Sequence, residues 1–541
     1  MNLHLSSLLV VLLLQPLLER SNAFHTFVSW YSAGAHHMVS PNQEEDPTVP
    51  LTEVAKGGDG AAPGNHRRRL LLRSAVAAWT VLSVTNQPSL AASTNENFLV
   101  PNPPQTGQYS WPLGKVAFSL LPLSGGSRRA TVETEIVPDT IWTHDQIQGI
   151  VNVNVPVRQT VIRLQHDGGG LWVHNPVAPT PQLLSYMRSL EQKYNCTVQH
   201  IVLGTVALEH KTTFGPFASH FPDATCWVQP GQWSFPVQVP IEFLGVTQRG
   251  RRLRELPVPG RPQSSSSILP DSRPPPWVDE IDYLVLGPFQ FASVGGFSET
   301  TFYHRATKSL IVTDIVTSVT STPPAIIQED PRALIFHSRD SIADTSIEDT
   351  PATREKGWRR MVQFGLVFFP SQISVRSVGQ AFAEAKQVPR SLSNLGRDAI
   401  PISTLYPWEW APNEADQFNF DTISQNGALF CPPILTKLIL DREPEATLAF
   451  VDAVCRRFPD MQRVIPCHLD NDVRIRGPRD FAEAFAPLRS RPGQLVPQRA
   501  LGQDLALLQE ASDILTRLGV VAPSLVCDGE PARIQGRFAR R

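Results

Sequence analysis

Phe302-Tyr303-His304-Arg305-Ala306-Thr307-Lys308-Ser309-Leu310-Ile311-Val312-Thr313-Asp314 places two extended runs on either side of a polar turn and ends in a carboxylate. Residues 300–303 and 310–313 are rich in β-branched and aromatic side chains and read as short strands, with HRAT as the turn between them. Residues 281–286 supply a further strand just upstream. Asp314 therefore stands where a strand ends, a place from which side chains on one edge of a sheet converge.

The pattern repeats outward in both directions. VRQTVIRL at 157–164, the turn residues HDGGG at 166–170 and LWVH at 171–174 form a β-hairpin. Thr180-Pro181 opens a helix running to about Lys193, with Leu183, Leu184, Met187 and Leu190 on one face, and HIVLG at 200–204 follows as a short buried strand. Downstream, Pro444 suits a first helical position, and Leu448, Val451, Val454, Cys455 and Phe458 recur at helical spacing. RVIP at 463–466 is the next strand, and a last helix covers about 503–518 with Leu505, Leu508, Ala511 and Leu515 aligned. Strand pairs alternating with amphipathic helices predict an α/β sandwich of two mostly β layers flanked by helices.

Two stretches interrupt the alternation. Residues 247–279 carry Arg249, Arg251, Arg252 and Arg254, four consecutive serines from Ser264 and three consecutive prolines, a composition that reads as a surface loop. Residues 319–357 read as a second polar insertion, and 93–138, rich in Pro, Gly and Ser, as an extended arm ahead of a domain covering 139–518; residues 519–541 are a tail. The 541 residues balance 48 Lys+Arg against 50 Asp+Glu, so no basic field steers the chain to nucleic acid. No long apolar run follows the first hundred residues, which predicts no membrane span in the mature chain. The six cysteines include no CxxC pair and read as small apolar residues. Asn195-Cys196-Thr197 matches a glycosylation sequon.

Residues 5–18 are an apolar run too short for a comfortable membrane helix, and Ser21-Asn22-Ala23 before Phe24 offers the small residues of a signal-peptidase site, so 1–23 read as a signal peptide. Arg67-Arg68-Arg69, an apolar run at 70–84 and Leu90-Ala91-Ala92 before Ser93 then resemble a twin-arginine signal within a transit region at 24–92. Two signals in series resemble the bipartite plastid leaders of diatoms and related algae. They imply a chloroplast protein, with the second signal addressing the thylakoid lumen.

The chain has no GxxxxGK[ST] loop, no GxSxG elbow and no HExxH helix. What remains is Glu209-His210 after HIVLG, Asp314 after LIVT and His468 after VIPC, and carboxylates with two imidazoles suit one divalent ion: zinc, iron or manganese. His304, His220, and Trp408 and Trp410 read as hydrogen-bonding, surface or core residues.

With IWTHDQ, VPVRQTVIRL, GGLWVHNPVAPT, FYHRATKSLIVTDIV, LDREPEATLAFVDAV and RVIPCHLDN in view, the chain resembles the metallo-β-lactamase fold, and within it the uncharacterised family called domain of unknown function 4336. The resemblance implies an αββα sandwich in which Glu209, His210, Asp314 and His468 are metal ligands. It also implies that the fold's HxHxDH signature falls on Thr205 to His210, so that its first two imidazoles are Thr205 and Ala207, while a further histidine segment falls on Gly295-Gly296-Phe297. One half of a two-metal site is then lost. A catalytically silent, metallo-β-lactamase-like protein that binds a ligand or partner in the plastid is the favoured function, and a mononuclear metal-dependent hydrolase is the alternative.

Overall fold

The computed structural model describes residues 130–525 less several internal stretches, the longest being 233–252, 259–273, 490–501 and, apart from 383, 376–407. Both leader segments, most of the arm and the end of the tail lie outside the described residues.

β1 (Val132–Val137), β2 (Ile141–Ile150), β3 (Val153–Leu164) and β4 (Gly170–His174) pair antiparallel in chain order. The predicted hairpin is β3 with β4. Helix α1 (Pro181–Tyr194) then carries the chain to β5 (Val198–Leu203), which lies parallel to β4, as a right-length crossover permits. Thr180 caps α1 by accepting the Leu183 amide at 3.2 Å, and Pro181 sits at the start, where its missing N–H costs nothing. Helix α2 (Leu208–Ala218) follows, and β6 (Thr225–Val228) and β7 (Leu253–Glu255) extend a seven-stranded sheet.

A second sheet begins with β8 (Ile281–Phe291), β9 (Gly295–His304) and β10 (Ser309–Ile311), the HRAT turn joining the last two. Helices α3 (Ala325–Gln328), α4 (Arg332–Ser338) and α5 (Pro351–Val367) come next, then a separate ribbon of β11 (Ile373–Val375) with β12 (Trp408–Trp410). After α6 (Ala415–Ser424), α7 (Pro433–Leu438) and α8 (Pro444–Arg457), β13 (Arg463–Ile465) returns parallel to β10, and β14 (Val473–Arg474) closes the sheet in the order β14-β13-β10-β9-β8. The short α9 (Pro478–Glu483) and α10 (Gly502–Arg517) complete the described chain.

Alternation along the strands builds the layers. Ile162, Trp172 and Val202 face inward and meet Ile281, Phe302, Ile311 and Ile465 of the second sheet in a core between the sheets. Their neighbours Val161, Val173 and Ile201 face outward, against Leu183, Met187 and Leu190 of α1 and Phe214 and Phe217 of α2. On the far side, Leu310 and Val464 pack with Phe450, Val451 and Val454 of α8 and with α5, α7 and α10. This is the expected αββα sandwich.

Three readings need correction. Residues 132–137, assigned from sequence to the arm, form the edge strand β1. Within the predicted loop at 247–279, Leu253–Glu255 pairs with β6, Leu256 is buried, and Trp277 lies 5.8 Å from Trp172 and 6.0 Å from Trp227, ring centre to ring centre, inside the core. One tryptophan and one leucine anchor a segment whose average composition is that of a loop. The supposed polar insertion at 319–357 folds into α3, α4 and the start of α5, because Ile326, Ile327, Leu334, Ile335 and Phe336 are scattered among its charges and all are buried. Trp410 packs on Phe364, as a core residue would.

Candidate metal centre

Three strand ends meet at one edge. β10 and β13 are parallel and their ladder continues past both strands, with the Val312 amide donating to Ile465 O at 3.1 Å and the Cys467 amide to Thr313 O at 3.3 Å, so Asp314 and His468 leave the sheet side by side. The chain after β5 crosses to the second sheet: Thr205 bridges Glu299, and the Thr300 amide donates to Gly204 O at 2.8 Å. Gly204 is required there, since a Cβ would lie 2.5 Å from His174 Nε2. The crossing delivers His210, third residue of α2, to the same edge.

The donor atoms of His210, Asp314 and His468 all lie within 4.8 Å of one another. His468 Nδ1 donates to Pro156 O at 2.8 Å, which leaves Nε2 of the neutral ring as a lone pair aimed at Asp314 Oδ1, 3.1 Å away. Two acceptors facing each other call for a proton or a cation between them. His210 is completely buried, and neither ring nitrogen has a hydrogen-bond partner among the described residues. Burial, reinforced by His468, pushes its pKa down to about 4, so the ring is a neutral donor at physiological pH. Although burial opposes the charged His468 ring, Asp314 outweighs it and raises the pKa, and His468 in turn holds the Asp314 carboxyl below its ordinary value.

Glu209 does not join the three. It is buried in the same turn and its charge acts on all three, but its carboxylate is not among the donor atoms that cluster within 4.8 Å. Lys211, fully buried beside them, escaped the sequence reading; burial lowers its pKa to about 7 against the pull of Glu209.

The family model described as Domain of unknown function (DUF4336) matches residues 138–486. The chain belongs to this family. No curated protein matches it. Among solved structures it is similar to a metallo-β-lactamase from Pontibacter korlensis, at 9% identity and a TM-score of 0.27 over 66% of this chain and 99% of that one. It is also similar to the FIM-1 metallo-β-lactamase of Pseudomonas aeruginosa in its mono-zinc form, at 10% identity and a TM-score of 0.28 over 66% and 94%. Likenesses this distant carry nothing about metal or substrate.

In this DUF4336 chain the turns that carry Asp314 and His468 are supported by buried ionisable side chains that no motif announces. Glu299 Oε1 accepts the Thr313 amide at 2.8 Å, and Oε2 accepts those of Asp314 at 2.8 Å and Ile315 at 3.2 Å. Arg158 donates to the carbonyls of Pro466 (2.5 Å), Leu469 (2.8 Å) and Asp470 (3.1 Å), while its Nε meets Asp145 at 2.7 Å. Asn175 bonds Thr313 Oγ1 at 2.9 Å and the Gly204 amide at 2.9 Å, joining both sheets behind the site. The available sequence signal was a charge in the middle of a strand-forming run: Arg158 within VPVRQTVI, Glu299 within FSETTFY.

Proposed function

We propose that this chain binds one divalent ion, zinc, iron or manganese, through His210, Asp314 and His468, and that it serves in the plastid as a metal-loaded protein that binds a ligand or partner. The observation that carries the reading is His210: a buried imidazole with no hydrogen-bond partner among the described residues, facing a carboxylate and a second imidazole. Such a ring is costly unless something takes its lone pair. Two neutral nitrogens and one carboxylate suit the proposed ions, and the Pro156 carbonyl sets the His468 tautomer that presents Nε2. A divalent ion held there would supply Lewis acidity. His210 and Asp314 keep bulk water from their side of the centre, while His468 leaves a narrow approach, its side chain 12% exposed.

A single ion follows from the residues at the lost half-site, where Thr205, Ala207 and Phe297 offer no imidazole. The mononuclear hydrolase reading draws on one feature, that three protein ligands leave a fourth position open, as catalytic zinc sites do. Elemental mass spectrometry of the purified chain should find one ion per chain, lost in His468→Ala. No ion, or an ion retained in that variant, ends the metal reading. Metal-dependent cleavage of β-lactam, thioester or phosphodiester probes, abolished in His468→Ala, would establish the hydrolase instead.

The plastid assignment is supported by the two leaders in series. A fluorescent reporter carrying residues 1–100 should enter the plastid of a diatom, and one that stays in the cytosol removes the assignment.

A further inference from the structure

We infer that the centre is assembled before any ion arrives, with Glu299 and Arg158 as its positioning residues. This rests on the one-ion reading above, but it concerns the polypeptide, and part of it is testable without metal.

The two side chains divide the work by charge. Glu299 is acceptor-only when ionised, and both its oxygens are taken up by three successive amides, Thr313 to Ile315, the turn on which Asp314 is mounted. Arg158 is donor-only, and its guanidinium grips the carbonyls of Pro466, Leu469 and Asp470, which bracket His468. Both side chains act on the backbone of the turns that carry Asp314 and His468, and neither bonds the side-chain atoms that would face the ion. Both residues are fully buried, so water does not compete for these bonds.

The charge balance also fits a cation. Arg158 is compensated by Asp145 at 2.7 Å, so it braces the His468 loop with little net positive charge. Glu299 lies against the turn that carries Asp314, its oxygens met by backbone dipoles, and Asp314 itself supplies the negative charge that favours a positive ion. Leu469, next to His468, is held at a φ of 60°, a left-handed conformation that a leucine keeps only when its surroundings impose it, and its carbonyl is one of those that Arg158 grips.

Two conservative variants test the inference in the full chain. Glu299→Gln keeps the shape but turns an N–H₂ toward the amides, and Arg158→Lys keeps the charge opposite Asp145 but loses the planar fork. Cobalt(II) titration, followed by the visible d–d bands, should give a dissociation constant raised roughly 10–100-fold in each variant, with altered band positions, as removal of ligand-orienting partners does. Far-ultraviolet circular dichroism should show the fold retained. In metal-free wild type, hydrogen exchange at the amides of Thr313, Asp314 and Ile315 should be slow, and faster in Glu299→Gln. Unchanged cobalt affinity and spectra in both folded variants overturn the inference while leaving the metal site standing. If wild type binds no cobalt, the metal reading falls and the exchange experiment still decides: unprotected amides in the metal-free wild type refute pre-assembly. That last measurement also covers variants that fail to fold.

Discussion

His210 trades stability for a vacant lone pair. A buried ring whose nitrogens have no hydrogen-bond partner among the described residues carries a desolvation cost, so His210→Leu should make the metal-free protein more stable by about 1 kcal/mol while abolishing metal uptake. Urea unfolding beside a zinc titration checks both halves; a variant that is less stable and still binds zinc contradicts the assignment. Away from the centre, burial lowers the pKa of His200 and of His304 from 6.5 to about 4. The folded state thus disfavours the charged ring. The stability tied to each histidine is complete above pH 6.5 and is lost as pH falls toward 4, up to about 3 kcal/mol apiece by linkage. Urea midpoints at pH 7.5 and 4.5 should differ less in the double variant His200→Asn/His304→Asn than in wild type; an unchanged difference would place the acid sensitivity elsewhere.

At the scale of elements, helix contacts decide which substitutions the fold tolerates. Gly357 brings α5 onto α4 so closely that a Cβ would sit 1.8 Å from Leu334 O, so Gly357→Ala must push the helices apart. It should cost about 2 kcal/mol or more, seen as a lowered thermal midpoint, and an unchanged midpoint would mean the helices are not packed as described. Elements with their own period or cap were legible: α1 from Thr180-Pro181 and its apolar stripe, α8 from Pro444, and the β3–β4 hairpin from HDGGG. Elements made by distant partners were not. β7 is three residues long and is a strand only because β6 offers an edge, and β1 pairs with a strand that the alternation of IWTHDQIQGI, mixed polar and apolar and buried on both faces, does not announce.

Across the whole molecule, the centre sits where the two sheets are stitched together: His210 comes from the helix after β5, while Asp314 and His468 extend β10 and β13. An ion bound there cross-links both layers, so it should stabilise the fold as a unit. By mass action, zinc at a hundred times its dissociation constant adds about 2.7 kcal/mol, and a chelator should lower the melting temperature of the metal-loaded wild type but not of His468→Ala. A chelator without effect on the loaded protein would mean that the ion sits outside the described core. Among the described residues, no helix is long and apolar enough to cross a membrane. The sequence by itself determined the alternation of strands and helices and the family, and it singled out His210, Asp314 and His468 as residues at the ends of elements, because periodicity and residue type at a strand end are local properties. Tertiary structure alone decided that Glu209 stays outside the cluster of donor atoms, that Trp277 draws a proline-rich segment into the core, and that Arg158 and Glu299 brace the turns around that cluster. Those outcomes depend on partners up to 312 residues away, and a buried charge is explained only by what surrounds it.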